Sequence, residues 1–311
     1  MPKHGNNWQS WPVPRARSDA LQAARTALRR YDVGGPETEP AMALPLLRPF
    51  VRPAAMLALL SLVAGCASLP NAGHGRFVAR TATADGASMP YQVFVPAHAA
   101  RQPGRLPVVL FLHGSGERGR DGLKQTEAGI GPYLRAHADD FPALVVLPQV
   151  PDGEEWSGRN NRLALAALDA ALAEFGADPG RQYLTGLSMG GYGAWNIAMA
   201  APSRFAALVP ICGGVRMPRA ERPTLLIEAV AHERDPYAAV AQRLKDIPTW
   251  IFHGALDNVV PADDDRKLHA AFQAGNARDV RYTEYPQGGH NVWDATYADP
   301  AMWQWLFAQK R

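Results

Sequence analysis

From residue 76 onward, short apolar runs take turns with longer stretches of helical periodicity. Arg76–Ala82 and Met89–Val95 alternate apolar and polar side chains, as strands with one face on a core do, and Asp85-Gly86 supplies a turn between them. Pro107–Leu112 (PVVLFL) and Ala143–Leu147 (ALVVL) are continuously apolar, the pattern of central strands covered on both faces. Arg162–Phe175 carries apolar residues at helical spacing and leads into a strand over Gln182–Leu187. A helix over about 190–200 follows. Strands recur at Ala206–Ile211, Thr249–Phe252 and Val280–Tyr285, with helices over about 262–274 and 299–309. Alternation of strand and helix with short links predicts an α/β fold, a mostly parallel, doubly wound sheet with helices on both faces. Residues 216–246 fit less simply. Their charged, Pro-interrupted stretch, Leu225–Val230 and the helical-looking Asp235–Lys245 read either as a cap over a site or as an ordinary crossover with one packed helix.

Charge separates the first 65 residues from the rest. They hold 8 Lys/Arg against 4 Asp/Glu, whereas residues 66–311 hold 24 against 25. The body is therefore near neutral, and no nucleic-acid partner is expected of it. Ala54–Ala64 (AAMLALLSLVA) is apolar but too short to span a bilayer; it is preceded by Arg48 and Arg52 and ends in Leu62-Val63-Ala64-Gly65-Cys66. That ending resembles the lipobox of bacterial lipoproteins, which implies cleavage before Cys66, acylation of its thiol and attachment to a membrane surface in the cell envelope after export. The expected organisation is a disordered extension over 1–41 ahead of a true start at Met42, a signal peptide over 42–65, a linker over 66–75 and a catalytic domain over 76–311.

The chemistry gathers around Gly186-Leu187-Ser188-Met189-Gly190. The serine directly follows a strand and directly precedes a helix, the sharp turn that holds a nucleophilic hydroxyl exposed. The backbone N–H of Met189 can point at a developing oxyanion from the start of that helix. A second donor is expected from the loop after the third strand, Leu112-His113-Gly114-Ser115-Gly116-Glu117-Arg118-Gly119, at Gly114 or Ser115; His113 reads as a brace of that loop. A serine hydroxyl needs an imidazole base oriented by a carboxylate. Asp257, in the loop beyond the strand ending at Phe252, supplies the acid in preference to Asp263, Asp264 and Asp265, which read as a solvated first turn of the next helix. His290 in Gly288-Gly289-His290-Asn291 supplies the base.

Leu112-His113-Gly114, Gly186–Gly191, Phe252–Asp257 and Gly289-His290 resemble the α/β-hydrolase superfamily. His113–Gly119 with Pro148-Gln149 and Trp156 is similar to its bacterial branch labelled phospholipase/carboxylesterase or predicted peptidase, over residues 76–311. Related dienelactone hydrolases use cysteine as nucleophile; here serine stands in that place, and Cys212 reads as a small buried hydrophobe.

Trp156, Trp293 and Gln149 are candidates for lining a substrate pocket, and no metal or cofactor motif is present. The expected activity is cleavage of carboxylic esters, small-molecule or oligosaccharide, through an acyl-enzyme on Ser188. Rival readings are a serine peptidase, a polysaccharide-directed feruloyl or acetyl esterase, and a non-catalytic surface lipoprotein on a hydrolase scaffold.

Overall fold

The computed structural model describes residues 74–99 and 106–311. The expected extension, apolar leader and Cys66 lie outside the described residues.

Among the described residues, eight strands form one sheet, in chain order β1 (Arg76–Ala84), β2 (Ala87–Val95), β3 (Leu106–Leu112), β4 (Leu144–Pro148), β5 (Ala177–Leu187), β6 (Ala207–Ile211), β7 (Thr249–Gly254) and β8 (Val280–Tyr285). The spatial order is β1-β2-β4-β3-β5-β6-β7-β8. The pairings β1–β2 and β2–β4 are antiparallel, and every pairing from β4 to β8 is parallel. Helices α1 (Ile130–Ala136), α2 (Gly158–Phe175), α3 (Met189–Ala200), α4 (Pro236–Leu244), α5 (Asp263–Ala274), α6 (Trp293–Ala298) and α7 (Pro300–Ala308) fill the connections. The periodicity had indicated neither α1 nor α6; both are shorter than two full turns, too short to print a helical stripe.

Each central strand divides its side chains between two cores, as the two-residue period requires. Val108, Leu110 and Leu112 face the core made with α2, α3, α4 and α5. Val109 and Phe111 face the one made with α1, α6 and α7. The continuous apolar runs in the sequence are this two-sided burial.

The chain leaves β3 toward α1 on one face and leaves β5 toward α3 on the other. Adjacent parallel strands whose exits diverge leave a crevice at their carboxyl ends. The loop after β3 and the turn after β5 both open there.

Candidate active site

Ser188 sits between the last residue of β5 and the first of α3, with φ 53° and ψ −118°. A positive φ is strained for a residue with a Cβ. The turn is held from outside by the Ser188 N–H, which donates to Ile211 O at 2.9 Å. Strand and helix then cross so closely that a Cβ on Gly190 would overlap the carbonyl oxygen of Leu112, and one on Gly186 that of Gly190. The glycines around the serine are therefore a steric condition for the turn.

The acid and base arrive on the loops after β7 and β8. These loops touch because position 254 is glycine, where a Cβ would overlap Gly289 O; Leu256 N–H donates to Gly288 O at 2.8 Å. Asp257 Oδ1 accepts the N–H groups of Val259 and Val260 at 2.8 and 2.9 Å, and Oδ2 lies 2.6 Å from His290 Nδ1. Burial opposes ionisation of Asp257, but the donors His253, His290, Val260 and Val259 outweigh it and hold the carboxyl well below the usual carboxylate range. An ionised Asp257 makes His290 Nδ1 the donor and frees Nε2, 2.9 Å from Ser188 Oγ, to accept the hydroxyl proton. Cys212, fully buried, donates its thiol to His290 O at 3.1 Å. Burial pushes that thiol up, which keeps it protonated and unreactive. The one cluster with metal-ligand spacing among the described residues, Cys212 with Asp257 and His290, thus has its Asp and His atoms engaged with each other and its thiol on a backbone oxygen.

Ser188 and His290 open into a cavity of about 290 Å³, shared with Gly114, Ser115, Glu117, Leu187, Pro218, Arg219, Arg222, Leu225, Val259, Val260 and Trp293. Met189 lies in the first turn of α3, where backbone N–H groups have no intrahelical acceptor. The loop after β3 is braced from below. His113 is fully buried; its Nε2 accepts Val150 N–H at 3.0 Å and its Nδ1 donates to Gly114 O at 2.6 Å. Burial lowers its pKa to about 4, so it stays neutral.

Two of the three pocket candidates do other work. Trp156 is buried beneath the loop, its Nε1–H donating to His113 O at 2.9 Å and its ring covered by Gly193. Gln149, also buried, accepts Gly122 N–H at 2.7 Å and donates to Asp121 Oδ1 at 3.0 Å, fastening the 117–122 segment. Trp293 does line the cavity, edge-on to His290 with ring centres 5.4 Å apart.

The solvated reading of the three aspartates holds for Asp263 only. Asp264 accepts Val215 N–H, Arg216 N–H and Tyr237 O–H, and Asp265 is fully buried against His253. The signal was available: Asp265, Leu268 and Phe272 share one helical stripe, and the latter two are core residues. Residues 216–246 divide between their two readings. The α4 stretch is an ordinary crossover helix between β6 and β7, whereas Pro218–Leu225 borders the cavity. There Arg222 ties Glu155, at 2.7 Å, to Ser115 Oγ, at 3.2 Å.

Comparison with known proteins finds similarity to hydrolases. Residues 155–307 match the sequence model of the prolyl oligopeptidase family, peptidase S9. A poly(3-hydroxyoctanoate) depolymerase of Pseudomonas fluorescens is 29% identical over 225 residues, covering 64% of this chain and 73% of that protein. A thermostable esterase of known structure is 34% identical with a TM-score of 0.60, over 76% of this chain; the chain spans 63% of that protein's length. A ferulic acid esterase superimposes with a TM-score of 0.56 at 17% identity, over 75% of this chain and 97% of that one, a likeness of fold. The chain has the α/β-hydrolase fold.

Proposed function

We propose that this chain is a serine esterase that cleaves carboxylic esters through an acyl-enzyme on Ser188. The observation that carries the proposal is the unbroken line Asp257–His290–Ser188, at 2.6 and 2.9 Å, opening into the cavity. His290 Nε2 takes the proton as Ser188 Oγ attacks the ester carbonyl, and the carbonyl oxygen becomes an oxyanion. Met189 N–H and a donor from Gly114 or Ser115 receive it. The imidazolium returns its proton to the departing alkoxide. Water activated by the same imidazole then hydrolyses the acyl-enzyme, releasing the acid and restoring Ser188.

A cavity of about 290 Å³, with Leu187, Leu225, Val259, Val260 and Trp293 on its walls, suits a short acyl chain or a single aromatic ring. The similarity to a thermostable esterase and to a depolymerase supports ester over amide, while the prolyl oligopeptidase match keeps a peptidase as the second reading. Short aryl esters, feruloyl sugars and peptide anilides assayed side by side separate them. Turnover of esters should be lost by roughly 10⁴-fold in Ser188→Ala and in His290→Ala. Retention of the rate in Ser188→Ala, or a preference for the anilides, would sink the proposal.

We also propose export and lipid attachment at Cys66, which the leader sequence supports. Metabolic labelling with a palmitate analogue, lost in Cys66→Ser, tests it.

A further inference from the structure

Behind Asp257 stands a second histidine and a second carboxylate that acyl transfer as derived above does not use. His253 near the end of β7 and Asp265 in the first turn of α5 are both fully buried. His253 Nδ1 lies 2.7 Å from Asp265 Oδ2, and its Nε2 lies 2.9 Å from Val260 O and 3.3 Å from Asp257 Oδ2. We propose that His253 and Asp265 are positioning residues, a buried imidazole–carboxylate pair that aims Asp257 Oδ2 at His290. This rests on the reading of Ser188, Asp257 and His290 as nucleophile, acid and base.

The protons follow from the partners. A carbonyl oxygen only accepts, so Val260 O requires a hydrogen on Nε2, and that N–H is shared with Asp257 Oδ2. One more proton lies between Nδ1 and Asp265, so the pair is neutral overall whichever atom holds it. Burial opposes charge on His253, but hydrogen bonds to Asp257 and Asp265 raise its pKa to about 10, and burial raises that of Asp265. Both shifts keep the shared proton in place through the neutral range.

The other ionisable groups around the pair are already spent. On α5, Asp264 is held by two backbone N–H groups and Tyr237; on β8, Glu284 is paired with Arg266 and accepts from Tyr282; after β6, Cys212 donates to His290 O. Aside from His290 itself, His253 is the one side-chain donor within reach of Asp257 Oδ2 among the described residues. The two backbone N–H groups fix Oδ1, and the carboxylate can still turn about it. Asp265 Oδ1 has no hydrogen-bond partner, a cost that an apolar pair filling the same space would avoid. The pair is therefore poorly explained as packing and well explained as support for Asp257.

Two substitutions at one position test this. An Asn at 253 keeps an amide near the Nδ1 position, toward Asp265, and cannot reach Asp257; a Gln reaches the Nε2 position. For His253→Asn, kcat per fluorophosphonate-titrated site should fall about tenfold with KM within about twofold. The acid limb of the kcat/KM profile should move up by roughly half a pH unit, because a carboxylate with one donor fewer holds the His290 proton more firmly. His253→Gln should recover most of both.

Asp265→Asn, isosteric with the native residue, reads the same link without vacating space, and should lower kcat in the same sense by a smaller factor. A His253→Asn enzyme with native kcat per titrated site and a native acid limb would overturn the inference. So would a His253→Gln enzyme no better than His253→Asn, or, where both His253 variants fail to fold, an Asp265→Asn enzyme with native kinetics. A native chain unlabelled by fluorophosphonate at Ser188 would instead overturn the reading beneath it.

Discussion

Replacing Asp257 with Asn exchanges one carboxylate oxygen for an amide nitrogen, turning the atom that accepts from His290 and faces His253 Nε2 into a donor. The amide oxygen can stay where Oδ1 accepts from Val259 and Val260, so the loop keeps its shape. The amide nitrogen then takes the place of Oδ2 and presents N–H groups to His290 Nδ1, formerly a donor 2.6 Å away. Two donors cannot face each other, so His290 shifts its proton to Nε2. In that tautomer it cannot accept the proton of Ser188 Oγ. The imidazolium formed during attack also loses its counter-charge, whose centre lies about 4 Å away; at an effective dielectric near 20 this is worth about 4 kcal/mol. Together these predict a loss of kcat of roughly 10³–10⁴-fold with KM little changed. The assay is hydrolysis of a short p-nitrophenyl ester from pH 6 to 9, with circular dichroism and Tm showing that the variant is folded. A folded Asp257→Asn enzyme within tenfold of the native rate would refute the argument, because neither tautomer nor counter-charge would then matter.

Stability should fall as the solution is acidified below about pH 6.5. The His113 pKa is lowered by burial from 6.5 to about 4, so the unfolded chain binds that proton first, and about 3 kcal/mol is lost across this interval. Urea midpoints at pH 7 and pH 5 should differ less in His113→Gln than in the native protein; equal differences would contradict it. Gly190→Ala should give little soluble protein, since the added Cβ meets backbone at Leu112 and His113; a soluble variant with native fluorophosphonate labelling would show that the turn can widen. Trp156→Phe loses the bond to His113 O, so thermal stability should drop by about 1 kcal/mol with KM unchanged. Trp293→Ala, on the cavity wall, should raise KM several-fold for aromatic esters; the reverse pattern in these two variants would exchange their assignments.

Much of this molecule was legible from sequence because its signals are local. Continuous apolar runs at Pro107–Leu112 and Ala143–Leu147 marked strands covered on both faces, and β3 and β4 have that burial. The strand, GxSxG and helix succession announced the turn at Ser188, since a positive φ and a close strand–helix crossing demand glycine at fixed offsets. Asp257 and His290 could be chosen because chain order restricts which strand ends reach the serine. The sheet then brings all three within hydrogen-bonding distance.

What sequence could not resolve depends on which way a side chain turns once the sheet closes. Trp156 and Gln149 read as pocket candidates, yet one is folded beneath the loop after β3 and the other ties its far end. Asp263, Asp264 and Asp265 are chemically identical neighbours, but successive helix positions point about 100° apart, sending one to solvent, one to the backbone at Val215 and Arg216, and one into the core. His253 likewise differs from a surface histidine only through what surrounds it. The chain's own order determined the fold and the Ser188, Asp257 and His290 candidates. Only tertiary packing decided what stands behind Asp257, because a buried hydrogen bond between residues on different elements leaves no periodic trace along the chain.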